Sequence, residues 1–451
     1  MDWKNKKVTV LGLGKSGIAA VRVLHDLGCS VTASDLRSRE ELVDVIAQLP
    51  AEISLEAGGH ASACLNAELI VVSPGVPCDL PILVAAEADG VPIMGEIELA
   101  YRLTNTPIVA VTGTNGKTTT TTLLGELLKA AGLSAPVGGN IGTPLVSLAS
   151  LPSDFLIAEI SSFQLETVHT FRPFVGLFLN FTDDHLNRHR TMERYFELKK
   201  RLFEMQKESD WVVLNADDPA VAALAGQLSS RILLFSRRGP VNAGAYVQDG
   251  KIWLKNGEEA QFLISIEEIK LRGSHNLENC LAAAAAAHAL DVPLEVIARV
   301  ISSFDGVEHR CEPVLTIGSV QYINDSKGTN YASTIKAIES YQEPLVLILG
   351  GRDKGGAISP LVEAISSRVK YTVLLGEAAP YFERILHAGH YETTVRADNL
   401  KEAVEMARER SLPGDVVLFS PACTSYDMFK NYEERGRAFK SVVRNLADGQ
   451  G

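Results

Sequence analysis

The segment Gly113-Thr114-Asn115-Gly116-Lys117-Thr118-Thr119 lies between a β-branched apolar run, Ile108–Thr112, and a helical pattern, Thr120–Ala131, that Gly132 stops. A lysine in a glycine turn at a helix N-terminus opposes the helix dipole unless an anion sits there. Backbone N–H groups and the Lys117 ammonium can wrap the β and γ phosphates of ATP, and the Thr118 hydroxyl is placed for Mg²⁺. The loop is shorter than the long G-x-x-x-x-G-K-[ST] pattern, because Val111 stands where that pattern has its first glycine. Such a loop belongs between the strand and helix of an α/β unit.

The rest of the chain has the same texture. Short apolar runs alternate with helical patterns at Lys7–Leu11, Ser30–Ser34, Leu69–Val72, Phe155–Ile160, Val175–Asn180 and Trp211–Asn215. They resume at Val320–Asn324, Leu345–Leu349, Tyr371–Leu375 and Val416–Ser420. Buried strands alternating with helices predict parallel sheets. Arg231–Lys270 differs: its short alternating runs and its Asp249-Gly250 and Asn256-Gly257 turns predict an antiparallel insertion at one sheet edge. The 451 residues fit three domains of roughly 150 residues each. The expected fold class is α/β, with a Rossmann-like domain at 1–94, a P-loop-type ATPase at 95–306 and a second Rossmann-like domain at 307–451.

Composition narrows the function. Lysine and arginine number 43 against 55 acidic residues, a net charge of −12, which argues against a general nucleic-acid or anionic-membrane binder. The apolar stretch Val8–Leu13 is far too short for a signal segment or membrane span, and Leu281–Leu290, mostly alanine, reads as a close-packed helix. Six cysteines without a C-x-x-C pair point to a reduced, cytoplasmic compartment.

Two further constellations can do chemistry. Gly12-Leu13-Gly14-Lys15-Ser16-Gly17 follows a strand and opens a helix, Ile18–Leu27, and Asp35 ends the next strand. The glycines admit a diphosphate and the acid can bind a sugar hydroxyl or a base edge, which suits NAD(H) or a nucleotide diphosphate sugar; the bland reading is a tight turn. In the middle unit, Glu159 ends a strand and Asp183-Asp184-His185 follows another. Strand ends in a parallel sheet converge on the phosphate crevice, so Glu159 and His185 are candidate Mg²⁺ ligands. Lys199 lies on the apolar stripe of a helix expected over Met192–Gln206, with Lys200 and Arg201 off it. It either snorkels to water or is a desolvated amine that can take up CO₂ as a carbamate, turning a cation into a metal ligand.

Together with Tyr195-x-x-x-Lys199 and Ser274-His275-Asn276-Leu277-Glu278-Asn279, the GTNGKTT loop resembles the Mur ligase family of peptidoglycan synthesis. The downstream motifs Val307-Glu308-His309-Arg310, Asn324-Asp325-Ser326-Lys327-Gly328-Thr329-Asn330 and Gly350-Gly351-Arg352-Asp353-Lys354-Gly355 fit in order. So does Ser420-Pro421-Ala422-Cys423-Thr424-Ser425-Tyr426-Asp427-Met428-Phe429, with Arg435-Gly436 beyond it. Among family members, the set is most similar to those that join D-glutamate to UDP-N-acetylmuramoyl-L-alanine.

The resemblance implies an ATP-driven amide synthesis through an acyl phosphate, with two Mg²⁺ ions, in a monomer. It gives Gly113, Thr114, Asn115, Gly116, Lys117, Thr118, Thr119, Asn276, Asn279, Arg310, Asp325 and Lys327 to ATP. Lys117, Glu159, His185 and Lys199 are the implied catalytic set. Thr118, Glu159, His185 and carbamylated Lys199 are the implied metal ligands. Lys15, Ser16, Asp35, Arg37, Gly75 and Asn140 go to the UDP-sugar, and Thr329, Lys354, Ser425 and Tyr432 to D-glutamate. Arg310 and Asp325 would reach the ATP from the third domain, so that domain closure assembles the site.

Overall fold

Three separate β-sheets organise the chain, each built mainly from β-strand–helix–β-strand units whose central strands are buried on both faces. The structure, a computed structural model, describes all residues except 1, 61–65, 185, 272, 448, 450 and 451. Residues 1–268 with 278–302 form one compact body, and 269–277 with 303–451 form another.

The first sheet holds β1 (Lys7–Leu11), β2 (Ser30–Asp35), β3 (Ser54–Ala57), β4 (Leu69–Val72) and β5 (Ile93–Gly95), all parallel, in the order 3-2-1-4-5. Strand order reverses at β1, where such sheets open a crevice at their C-terminal ends. The glycine turn sits there. Gly12 has φ +83°, and a Cβ on it would stand 2.6 Å from Val76. A Cβ on Gly17 would meet the Gly12 carbonyl at 1.9 Å, whereas one on Gly14 would meet nothing within 4 Å. Two of the three glycines are thus demanded by packing and the middle one faces open space. The helix spans Lys15–Asp26, starting three residues before the apolar stripe that marked it in the sequence.

The second sheet holds β6 (Ile108–Thr112), β7 (Val137–Gly139), β8 (Leu156–Glu159), β9 (Val175–Phe178) and β10 (Trp211–Asn215). It continues through β11 (Arg231–Ser236), β12 (Gly244–Gln248), β13 (Lys251–Lys255) and β14 (Ala260–Ser265). The order is 14-13-12-11-10-9-6-8-7. The expected antiparallel insertion is narrower than the sequence suggested. β11 and β12 still run parallel to β10, and antiparallel pairing is confined to β12–β13 and β13–β14, so β13 alone is reversed. Reversal waits for Asp249-Gly250, both at positive φ, the geometry of a two-residue hairpin turn. The first two sheets share one hydrophobic core. In the alanine-rich Ser274–Ala289 helix, Ala282 through Ala287 are fully buried.

The third sheet comprises β15 (Glu312–Ile317), β16 (Val320–Asn324), β17 (Leu345–Gly350), β18 (Val369–Leu375), β19 (Thr394–Ala397) and β20 (Val416–Phe419), in the order 15-16-20-17-18-19. β15 is an antiparallel edge strand absent from the sequence reading; Gly318 and Ser319, both at positive φ, turn it into β16. The loops after β16, β20 and β17 therefore lie side by side. No helix among the described residues is long and apolar enough to cross a membrane.

Candidate active site

The loop after β6 is built by its backbone. Gly113 adopts φ +149° and Gly116 φ +84°, and a Cβ on Gly116 would stand 2.2 Å from the Asn279 Oδ1. Asn180, just beyond β9, holds the loop: its Oδ1 accepts from the Asn115 N–H at 2.8 Å and its carbonyl accepts from the Thr114 N–H at 3.0 Å. The helix begins at Lys117, three residues before the expected Thr120, because the glycine turn ends there. No side chain caps it at Gly116, so its first N–H groups open on the loop, as an anion requires.

Two lysines converge on this turn. Lys117 Nζ donates to the carbonyls of Gly113 and Thr114, each at 2.8 Å. Lys199 Nζ donates to the same Gly113 carbonyl, also at 2.8 Å, and stands 4.7 Å from the Tyr195 ring centroid. Lys199 is 1% exposed, so it does not snorkel. Burial pushes its amine well below the ordinary lysine range, Lys117 pushes it the same way, and Asp184 and Glu159 oppose. The helix that carries it is α-helical only over Met192–Lys200 and tightens to a 3₁₀ turn at Arg201–Phe203, short of the expected Gln206.

Glu159, 2% exposed, closes the floor. Its Oε2 accepts from the Thr118 hydroxyl at 2.7 Å and its Oε1 from Asn140 Nδ2 at 2.8 Å. A hydroxyl and a carboxylate beside a phosphate-type loop are the hard oxygen donors that suit Mg²⁺. Asn140 is thus brought to the loop rather than held apart from it. Thr119 is buried in the helix's first turn, and Asn279 accepts from the Thr120 hydroxyl at 3.3 Å. His185 lies outside the described residues.

In the first sheet the polar groups brace one another. Asp35 accepts from the Leu13 N–H at 2.7 Å and pairs with Arg37 at 2.9 Å, while Arg37 Nη2 donates to the Leu13 carbonyl at 3.1 Å. Burial raises the Asp35 carboxyl, but the Arg37 and backbone hydrogen bonds outweigh it and hold the group at about 2. Ser73 adds a 2.6 Å bond to the Gly12 carbonyl. Lys15 is exposed, Ser16 is half-buried, and Gly75 has open space where a side chain would be.

The second body gathers its own set. Asp325, fully buried and raised by that burial, accepts from the Ser420 hydroxyl at 2.7 Å and the Cys311 N–H at 3.1 Å. Lys327 Nζ stands 5.5 Å from the Tyr432 ring centroid. Asn276 is buried, Arg310 and Thr329 are half-buried, Ser425 is buried and Lys354 is exposed. The sequence reading missed Asn180, whose signal was an asparagine closing a buried strand beside the loop. It also missed Ser326, which binds the Tyr432 carbonyl at 2.8 Å.

Family profiles cover the chain in this order. A MurD-like N-terminal domain of Mur ligases matches residues 6–95, the Mur ligase middle domain matches 111–287 and the Mur ligase glutamate ligase domain matches 309–423. The chain belongs to the Mur ligase family. Curated Mur ligases extend the likeness over the full length. The UDP-N-acetylmuramoylalanine–D-glutamate ligase of Pelotomaculum thermopropionicum is 46% identical over 99% of both chains. That of Clostridioides difficile is 44% identical over 99% of this chain and all of its own. A MurF ligase from Thermotoga maritima, solved in complex with ADP, shares the fold at TM-score 0.62 and 18% identity, covering 98% of this chain and 96% of its own. The Mur ligase architecture of three sheets is thus common to relatives that differ widely in sequence.

Proposed function

We propose that this protein joins D-glutamate to UDP-N-acetylmuramoyl-L-alanine at the expense of ATP, in the synthesis of peptidoglycan precursors. Its full-length relatives carry that activity in their names. The observation that carries the chemistry is the convergence of Lys117 and Lys199 on the Gly113 carbonyl, beside Glu159 bound to Thr118 and Asn140.

A carboxylate is a poor electrophile, so the L-alanyl carboxylate first attacks the γ-phosphorus of ATP, forming an acyl phosphate and releasing ADP. The D-glutamate amine then attacks the acyl carbon, loses a proton, and phosphate leaves with the C–O bonding pair. Lys117 and the N–H groups at the helix start, Gly116–Thr119, bind phosphate oxygens and offset the meeting of two anions. Thr118, Glu159, His185 and Lys199 would hold two Mg²⁺ ions, which would supply charge neutralisation for the phosphoryl transfer. Lys199 serves as its carbamate: the neutral amine adds to CO₂, an N–C bond forms and one proton is released. Its burial, which favours the uncharged amine, supports this assignment.

Asn276, Asn279, Arg310, Asp325 and Lys327 go to ATP. Lys15, Ser16, Gly75 and Asn140 go to the UDP-sugar, with Asp35 and Arg37 shaping that loop, and Thr329, Lys354, Ser425 and Tyr432 to D-glutamate. We read the chain as three domains, 1–94, 95–306 and 307–451, and as a cytoplasmic monomer. The test is phosphate release with ATP, Mg²⁺, the nucleotide sugar and a panel of amino acids. Turnover confined to D-glutamate is expected, and turnover with another amino acid alone, or none, sinks the reading.

A further inference from the structure

Arg435, in the first turn of the Tyr432–Ala447 helix, is 1% exposed and is the largest of the fully buried side chains. Its Nε donates to the Ser326 hydroxyl at 3.0 Å, and its Nη2 donates to the carbonyls of Ser326 and Cys423 at 2.8 and 3.1 Å. These acceptors are all neutral, and Nη1 has no hydrogen-bond partner among the described residues. Burial lowers the guanidinium to about 10, a cost that an ordinary packing residue would not incur. Something beyond stability accounts for a cation here.

The acceptors say what. Ser326 belongs to the loop after β16 and Cys423 to the loop after β20, so one planar fork spans two loops. Ser326 in turn donates to the Tyr432 carbonyl at 2.8 Å, closing the ring back onto the arginine's own helix. The third loop is tied in by paired backbone bonds between Arg352 and Thr424, at 3.1 and 3.0 Å. Gly351 lets it approach: a Cβ there would stand 2.4 Å from the Thr424 carbonyl and 3.2 Å from Arg435 Nη1. Thr329 lies three residues beyond Ser326, Ser425 two beyond Cys423, and Tyr432 one helical turn before Arg435. Asp325, by contrast, has its own anchors in Ser420 and Cys311.

We propose that Arg435 is a positioning residue for the amino-acid acceptor: by bolting the loops after β16 and β20 together, it sets the spacing of Thr329, Ser425 and Tyr432. This rests on the assignment of those three to the acceptor. Lysine retains the charge but cannot reach both loops with a planar fork, and methionine retains volume without either bond.

The full-length enzyme carrying Arg435→Lys or Arg435→Met is assayed for KM toward each substrate, with thermal melting as a fold control. Both variants are expected to raise the acceptor KM tenfold or more, with KM for ATP and nucleotide sugar within threefold and kcat at saturating acceptor falling less than KM rises. Ser326→Ala, which removes one arm, is expected to shift the acceptor KM in the same direction by less, and stands in if an Arg435 variant fails to fold. An unchanged acceptor KM, a parallel rise in all three constants, or full activity in Arg435→Lys overturns the proposal. KM is read on whichever amino acid the wild type accepts. A wild type that prefers another acceptor therefore defeats the D-glutamate assignment and leaves this test standing.

Discussion

Lys117 and Lys199 share the Gly113 carbonyl oxygen, and burial separates their roles. Lys117 sits at the open N-terminus of a helix, where a fixed positive group stabilises charge developing on a transferring phosphoryl group. Replacing it with alanine is expected to lower kcat by roughly two to three orders of magnitude, since charge stabilisation of this kind carries about 2.7–4 kcal/mol. A near-wild-type rate in steady-state kinetics would remove it from the mechanism. Lys199 is buried where an ammonium is costly. Lys199→Ala is expected to be almost inactive, with activity partly restored by short carboxylates such as formate or acetate that replace the carbamate. No rescue, together with an unmodified lysine mass in the native wild type, returns Lys199 to a structural role. The apolar stripe of its helix placed Lys199 inward; its choice between water and the Gly113 carbonyl depended on a loop 86 residues away in the chain.

At the scale of elements, the Glu96–Leu103 helix joins the first two sheets through two buried carboxylates that no periodicity revealed. Glu98 accepts from the N–H groups of His169, Thr170 and Phe171, from the Thr170 hydroxyl and from Arg102. Burial works to raise it, yet these bonds lower it below the usual carboxylate range. Glu96 is different. Its Oε1 accepts from the Val146 N–H at 2.7 Å, its Oε2 has no partner among the described residues, and burial raises it to about 7.

A carboxyl whose folded pKa exceeds its unfolded value of about 4.3 stabilises the fold fully below that value. The contribution disappears as pH rises through about 7. Stability should therefore fall between about pH 4.3 and 7, by up to about 4 kcal/mol at 1.36 kcal/mol per unit. Glu96→Gln keeps the acceptor oxygen and loses the titration, so its denaturation midpoint should be flatter over that range. Equal pH slopes in the two proteins would refute the assignment. Hairpins were likewise half legible. Asp249-Gly250 announced its turn, but Gly318-Ser319 did not, because a glycine and a serine alone do not say which strand follows.

On the scale of the whole molecule, each sheet places loops and helix starts at the C-terminal ends of its strands, and these carry most of the residues assigned to substrates. Strand alternation and glycine spacing were enough to establish the α/β class, the phosphate loop and the order of the motifs, because backbone conformation and burial period are local properties written in consecutive residues. The charge balance excluded whole classes of partner for the same reason, being a sum over the chain. Only the tertiary structure decided that Thr118 and Asn140 both bond Glu159, that Asp35 turns inward to brace its own glycine loop, and that Arg435 spans two loops. Those pairings join residues 12 to 109 positions apart, so they depend on sheet order and on buried polar groups finding partners. A linear pattern records neither.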